Sequence, residues 1–94
     1  MAGLRDADYI IEVLKARIPD LIVVQMHKTF PADDDGLWWF RLPGKAKDIQ
    51  IESSAGVCPF LIECSDDKSS SEARTGYTPE EVVTIVEQYL ASLR

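Results

Sequence analysis

Three consecutive aspartates, Asp33, Asp34 and Asp35, form the densest group of possible metal ligands in the sequence. Carboxylate oxygens are the ligands that Ca²⁺ and Mg²⁺ prefer. Consecutive acids are poorly spaced to share one ion, however, and the alternating acids and closing glutamate of an EF-hand loop are missing. Since a run of like charges is usually a solvated segment, we expect an acidic hairpin tip here and no metal site.

Cys58 is the candidate nucleophile, in a small-residue loop beside Ser53 and Ser54. A reactive thiol needs a base or a positive charge nearby to lower its pKa. The single histidine, His27, falls in the first predicted strand, which ends at the same edge as this loop. No group that would orient the histidine and no oxyanion motif can be named. We therefore expect a cysteine of low reactivity and no catalytic residue.

Cys58 and Cys64 are the only two cysteines, and they lack the CxxC spacing of a redox motif or a zinc knuckle. They bracket a predicted strand, in which about 3.3 Å per residue places them roughly 20 Å apart. A disulfide needs Cα atoms within about 7 Å. One histidine also makes the usual zinc ligand sets difficult to assemble. We expect two free thiols, no cofactor and a reducing, cytoplasmic compartment.

The charge of the chain disfavours partners that carry phosphate. Sixteen acids against ten bases give a net charge of −6, which opposes binding to nucleic acids and to anionic membrane surfaces. The scattered glycines form neither a GxGxxG nor a GxxxxGK motif, so nucleotide binding is not indicated. No run approaches the roughly 18 apolar residues that cross a bilayer. A basic protein partner is favoured instead.

The N-terminal part of the chain has the pattern of an amphipathic helix. Between Asp6 and Ile18, apolar residues recur at three- and four-residue spacing. Asp6 is the predicted N-cap, and Pro19 follows the last turn. We expect this helix to bury one stripe of apolar side chains.

The sequence Thr78-Pro79-Glu80-Glu81 is a capping box that opens a second helix. Thr78 is the predicted N-cap, proline suits the first helical position, and Glu81 can reach back to the Thr78 amide. The apolar stripe that follows extends the helix close to residue 93.

Four segments alternate with period two, as strands do. They cover residues 21–30, 37–42, 47–53 and 59–64. The polar, serine-rich segment 65–77 has no such pattern and predicts an irregular linker within the domain.

These elements predict one domain, residues 1–94, of the α+β class with the order αββββα. Short connections make the four strands an antiparallel meander. Because each helix has one apolar stripe, both helices should cover the same face of the sheet. In a meander the turns alternate ends, so Lys45 and Lys47 should lie near Asp66 and Asp67. The acidic segment should lie near residues 53–58.

Strict alternation assigns each strand residue to a face. The covered face is predicted to hold Ile22, Val24, Met26, Trp38, Phe40, Leu42, Ile49, Ile51, Phe60, Ile62 and Cys64. The uncovered face is predicted to hold Val23, Gln25, His27, Leu37, Trp39, Arg41, Asp48, Gln50, Glu52, Leu61 and Glu63.

The uncovered face predicts a protein-binding site. Trp39 and Arg41 are the residue types that dominate binding hot spots, and amides and acids around them would form a polar rim. The alternative is that Trp39 only covers the sheet, packed on its cross-strand neighbours or on Arg41. The predicted partner-binding residues are Trp39, Arg41, Gln50, Glu52, Glu63, Asp33, Asp34 and Asp35.

The segment IQIESSAGVCPFLIE, residues 49–63, resembles a segment of small uncharacterised bacterial proteins. Small size, acidity, the αββββα order and a tryptophan on the sheet also resemble immunity proteins that neutralise bacterial toxins. The order and the acidity are similar, too, to type III secretion chaperones, although those are longer. The resemblance to immunity proteins implies a small cytoplasmic module that binds another protein, and it carries over no site residue.

Three functions are therefore open. The chain is a protein-binding module of immunity or adaptor type, a secretion-type chaperone that acts as a dimer, or a protein that binds a small ligand or metal. We favour the first, with a partner that is a protein and is basic, and with the chain itself a monomer or a weak homodimer. The missing catalytic constellation argues against an enzyme.

Overall fold

The computed structural model describes residues 5–26, 36–67 and 72–94. It confirms an α+β fold in which helices precede and follow an antiparallel sheet. The sheet has five strands rather than the predicted four. The elements are α1 (Asp6–Arg17), β1 (Ile22–Gln25), β2 (Leu37–Arg41), β3 (Asp48–Glu52), β4 (Phe60–Cys64), β5 (Arg74–Gly76) and α2 (Pro79–Ser92).

The additional strand, β5, lies in the segment predicted to be irregular. The strands follow one another across the sheet in chain order, and β5 forms the edge beside β4. The sequence of this strand, Arg74-Thr75-Gly76, has no apolar alternation, and Arg74 and Thr75 are exposed. Backbone pairing with β4 forms it, and side-chain periodicity does not report backbone pairing.

One hydrophobic cluster joins both helices to one face of the sheet. α1 and α2 pack on each other, and α2 also packs on β3, β4 and β5. The buried residues are Ala7, Ile10, Leu14, Ile18, Trp38, Phe40, Leu42, Ile49, Ile51, Phe60, Ile62, Val82, Val83, Val86 and Leu90. The covered face was therefore predicted correctly for β2, β3 and β4.

The faces of β1 are reversed relative to the prediction. Val24 pairs with Trp39 and Val23 with Phe40. Because cross-strand partners share a face, Val24 lies on the uncovered side, where it is 46% exposed, and Val23 packs against the core. The same correction places Ile22 and Met26 on the uncovered side and Gln25 on the covered side.

Residue His27, which was predicted to lie on the uncovered face of this strand, lies outside the described residues. The reversal has a simple cause. Three consecutive apolar residues, Ile22, Val23 and Val24, offer no polar position that would mark the wet face, so periodicity alone fits both assignments.

α1 begins one residue earlier than predicted, with Arg5 as N-cap instead of Asp6. The Asp8 carboxylate accepts a hydrogen bond from the Arg5 amide at 3.1 Å. Asp6 is the first helical residue, and its carboxylate accepts a 2.8 Å hydrogen bond from the Cys58 amide. The Asp6 side chain, which the local sequence predicted as the N-cap, thus binds a distant loop instead.

The predicted cap of α2 is confirmed. The Thr78 hydroxyl accepts a 3.1 Å hydrogen bond from the Glu81 amide, and Pro79 is the first helical residue. The Glu81 carboxylate accepts a 2.7 Å hydrogen bond from the Tyr77 amide. The predicted donor was the amide of the next residue, Thr78.

The ends of the sheet follow the predicted meander where the structure describes them. Lys47 Nζ lies 2.6 Å from Asp66 Oδ1, which confirms the shared end of those loops. At the opposite end the Ser53 amide donates to the Gly36 carbonyl at 2.8 Å. The segment Asp33 to Asp35 lies outside the described residues. Within those residues, neither helix has the length and apolar character required to cross a membrane.

Candidate functional site

The face of the sheet that neither helix covers carries the candidate site, and we call it the open face. Cross-strand pairing assigns its members, since paired residues point to the same side. They are Ile22 and Val24 of β1, Leu37, Trp39 and Arg41 of β2, Asp48, Gln50 and Glu52 of β3, Leu61 and Glu63 of β4, and Thr75 of β5.

Trp39 lies in the middle of the open face, between Val24 and Gln50. Its indole Nε1–H donates a 3.2 Å hydrogen bond to Gln50 Oε1. The ring is only partly buried, whereas that of the preceding Trp38 is 2% exposed. Because the indole N–H is already paired within the sheet, Trp39 presents mainly its apolar ring to the solvent.

A shallow pocket lies beside this ring. Val24, Trp39, Arg41 and Asp48 line it, and its volume is about 180 Å³. Pockets that hold drug-sized ligands or cofactors usually measure about 300–1,000 Å³. The pocket is therefore smaller than a usual site for a drug-sized ligand or cofactor.

Arg41 and Asp48 are cross-strand neighbours that do not form an ion pair. Asp48 Oδ1 instead accepts a 2.9 Å hydrogen bond from the Ser65 hydroxyl. The Arg41 side chain is exposed, and in the part of the chain that the structure describes it forms no hydrogen bond or ion pair. Its guanidinium donors face the solvent.

The carboxylates of the open face are also without ion pairs among the described residues. These are Asp48, Glu52 and Glu63. All ion pairs among the described residues lie elsewhere. They join Arg5 with Asp8, Arg17 with Glu87, Lys47 with Asp66, and Arg94 with Asp20.

Five of the predicted site residues lie together on the open face. They are Trp39, Arg41, Gln50, Glu52 and Glu63. Asp33, Asp34 and Asp35 lie outside the described residues.

The prediction left out two residues that line the pocket, Val24 and Asp48. Val24 carried no signal, because it follows two other apolar residues, Ile22 and Val23, without a polar residue between them. Asp48 was correctly assigned to the uncovered face. Its position opposite Arg41, which places it at the pocket, follows from the strand register, and the sequence does not give this register.

A second pocket, of about 350 Å³, lies where the two helices begin. Two of its charged residues already form contacts within the fold. Asp6 binds the Cys58 amide, and the Arg5 guanidinium lies 5.7 Å from the centre of the Trp38 ring. Tyr9, Pro79 and Glu80 complete the lining. This pocket is larger than that of the open face, but Arg5 and Asp6 are already engaged within the fold.

Both thiols are free and partly buried. Burial, together with the negative charge of Asp6, raises the pKa of Cys58 to about 11. Burial likewise raises the pKa of Cys64, against the effect of a hydrogen bond that Arg74 donates to its sulfur at 3.4 Å. At neutral pH both are protonated thiols, and the protonated form is a poor nucleophile and a poor metal ligand.

Among the described residues, no three or more His, Cys, Asp or Glu side chains are grouped so that they could hold a metal ion. Comparisons with protein families, with curated proteins and with solved structures found no match to this chain.

Proposed function

We propose that the protein is a small acidic protein-binding module, of immunity or adaptor type, that binds a partner protein on the open face. The observation that carries this proposal is the position of Trp39. Its ring is partly exposed at the centre of a sheet face that neither helix covers, while Trp38 anchors the core.

The surroundings of Trp39 have the composition of a binding hot spot. Val24 and Leu61 are exposed apolar side chains on the same face, at 46% and 40%. Arg41 offers unpaired donors next to the ring. Aromatic and arginine anchors of this kind, ringed by polar groups, account for most of the affinity in protein interfaces. Gln50, Glu52 and Glu63 supply such a ring.

A protein suits this face better than the other partner classes. The pocket is too small and shallow for a cofactor, and the net charge of −6 disfavours phosphate-bearing partners. The same charge speeds encounter with a basic protein, at a rate that falls as salt rises. We also propose that this takes place in the cytoplasm, since both cysteines are free thiols, as is usual in a reducing compartment.

A second copy of the chain suits the face less well. Two copies would each bring a net charge of −6. Like charges on both copies repel each other and oppose self-association, whereas a basic partner is attracted. We therefore expect a monomer, or a homodimer that is weak.

The test compares the open face with an exposed aromatic residue elsewhere. Trp39→Ala with Arg41→Ala removes both anchors, and Tyr77→Ala is the matched control because Tyr77 is 71% exposed just before α2. Each protein is used to capture partners from a lysate of the source cells, and the affinity of every captured partner is then measured. Thermal unfolding confirms that both variants fold.

We expect the double variant to bind the partner about thirtyfold more weakly, or worse, as loss of an anchor typically costs 2 kcal/mol or more. The Tyr77 variant should bind as the wild type does. Equal affinities of the double variant and the wild type would show that the open face is not the binding site.

A further inference from the structure

The open face has an apolar half along β1 and β2, which also carries Arg41, and an acidic half along β3 and β4, which also carries Gln50 and Leu61. Pairing of the strands arranges its residues in three rows. In each row the β1 and β2 positions are apolar or Arg41, and a carboxylate stands at β3 or β4. The rows are Ile22–Arg41–Asp48, Val24–Trp39–Gln50–Glu63 and Leu37–Glu52–Leu61.

The charges of the acidic half are not balanced within the fold. Asp48, Glu52 and Glu63 form no ion pair in the described part of the chain, although other acids of the protein do. One base against three acids leaves the described open face with a net charge of −2. An occupant with positive charge along one side would complement it.

From these rows we infer that the element that docks on the open face is a basic amphipathic α-helix of the partner, aligned with the strands. This inference rests on the proposed function. The helix places its apolar stripe on Val24 and Trp39 and directs Lys or Arg side chains toward Asp48, Glu52 and Glu63. One apolar side chain of the stripe fills the pocket between Val24 and Trp39.

The dimensions agree with this occupant. A helix is about 10 Å wide, which is about two spacings between strands. From the Asp48 row to the Glu52 row the distance is about 14 Å, which equals about nine residues of helix. Apolar and basic stripes that repeat every three or four residues would then follow both halves of the face. An anionic helix would meet three unpaired carboxylates and only Arg41 in return.

The probe for the test is a synthetic helical peptide of about 14 residues that contains Leu, Lys and Ala, with Leu and Lys on adjoining stripes. A scrambled isomer keeps its composition and charge but has no stripes. A third peptide carries Glu in place of Lys. Fluorescence anisotropy measures the binding of each labelled peptide to the folded protein. We expect the striped basic peptide to bind at least about tenfold more tightly than the scrambled isomer, and the acidic peptide not to bind.

Charge variants locate the contact. Glu52→Gln with Glu63→Gln neutralises the acidic half, and Glu12→Gln with Glu80→Gln is the control that makes the same change of charge on the helices. We expect the first pair to weaken binding about two- to tenfold at low salt, because each exposed ion pair contributes little, and the difference to shrink in about 0.5 M salt. The control pair should change binding much less. Circular dichroism verifies the fold of both.

Equal binding of the striped and scrambled peptides, or equal binding by the two pairs of variants, would overturn the inference. A captured partner whose affinity depends on Trp39 but whose bound segment is acidic or lacks a helix would also overturn it, and would leave the proposed function standing. Loss of the proposed function is recognised separately, by a Trp39 and Arg41 variant that still binds its partner with wild-type affinity.

Discussion

The Asp6 carboxylate, in the first turn of α1, accepts a 2.8 Å hydrogen bond from the backbone amide of Cys58, 52 residues further along the chain. The next amide of the helix, that of Ala7, donates to the Gly56 carbonyl at 2.9 Å. These two bonds connect the start of α1 to the loop between β3 and β4. They hold the start of α1 against this loop.

This connection predicts that Asp6→Ala lowers the free energy of unfolding by about 1–3 kcal/mol. The variant leaves the partly buried Cys58 amide without its charged acceptor. Asp6→Asn should cost less, because its amide oxygen can still accept. Urea unfolding measures both, with exposed Glu12→Ala as the control that should stay within about 0.5 kcal/mol of the wild type. An unchanged midpoint for Asp6→Ala would contradict the contact.

The reactivity of Cys58 should depend on pH in a way set by the same contact. Burial and the Asp6 charge hold the pKa of the thiol at about 11, above its ordinary 9.0. Alkylation, followed in a Cys64→Ala background, should therefore be slow at pH 8 and rise toward pH 11. Asp6→Asn should move this profile to lower pH, because it removes a negative charge. A rate that levels off near pH 9 in the wild type would refute the assignment.

The raised pKa of Cys58 also determines how the stability of the fold changes with pH. Since the folded protein holds the Cys58 proton more tightly than the unfolded chain, this contribution to stability is fully present below pH 9 and is lost as pH rises toward about 11. The free energy of unfolding of the wild type should therefore fall more steeply over that interval than that of Cys58→Ala.

The cap of α2 predicts that Thr78→Ala lowers the free energy of unfolding by about 0.5–2 kcal/mol, because the Glu81 amide loses its acceptor. Thr84→Ala is the matched control. Thr84 lies inside the helix, where its hydroxyl donates to the Glu80 carbonyl and where alanine has the higher helix propensity. The control should be as stable as the wild type or more so. Equal losses in the two variants would show that the cap is not responsible.

Gly76, at the end of β5, packs closely against Val82 of α2. A Cβ atom at this position would lie 2.4 Å from Val82 Cγ2. Gly76→Ala should therefore lower the free energy of unfolding by about 1–3 kcal/mol. In that background Val82→Ala should cost less than it does in the wild type, since it removes the clashing methyl group. Additive losses in the double variant would place the two residues further apart than the structure does.

The two tryptophans should differ in their access to solvent. Trp39→Phe leaves only Trp38, which is 2% exposed, and its fluorescence should be blue-shifted and poorly quenched by acrylamide. Trp38→Phe leaves the partly exposed Trp39, which should be quenched more strongly. The comparison holds only if thermal unfolding shows that both variants fold. Equal quenching would mean that Trp39 is buried, and the proposed site would then be wrong.

The sequence by itself determined the helices and the faces of three strands. In β2, β3 and β4 polar residues alternate with buried ones: Arg41 follows Phe40, Gln50 lies between Ile49 and Ile51, and Glu63 follows Ile62. Such alternation allows one assignment of faces, because the opposite one would bury charges and amides. The cap at Thr78 could be predicted because it is local: the side chains that accept hydrogen bonds at a helix start lie within three or four residues of it.

Tertiary structure decided the rest. The faces of β1 depended on its register with Trp39 and Phe40, since an apolar run has no wet side of its own. The strand at Arg74–Gly76 depended on the free backbone edge of β4, and the role of Asp6 on a loop 52 residues away. The pocket beside Trp39 needed both Val24 and Asp48, which lie on different strands. Each of these features is a pairing between distant segments, and only the folded backbone brings distant segments into contact.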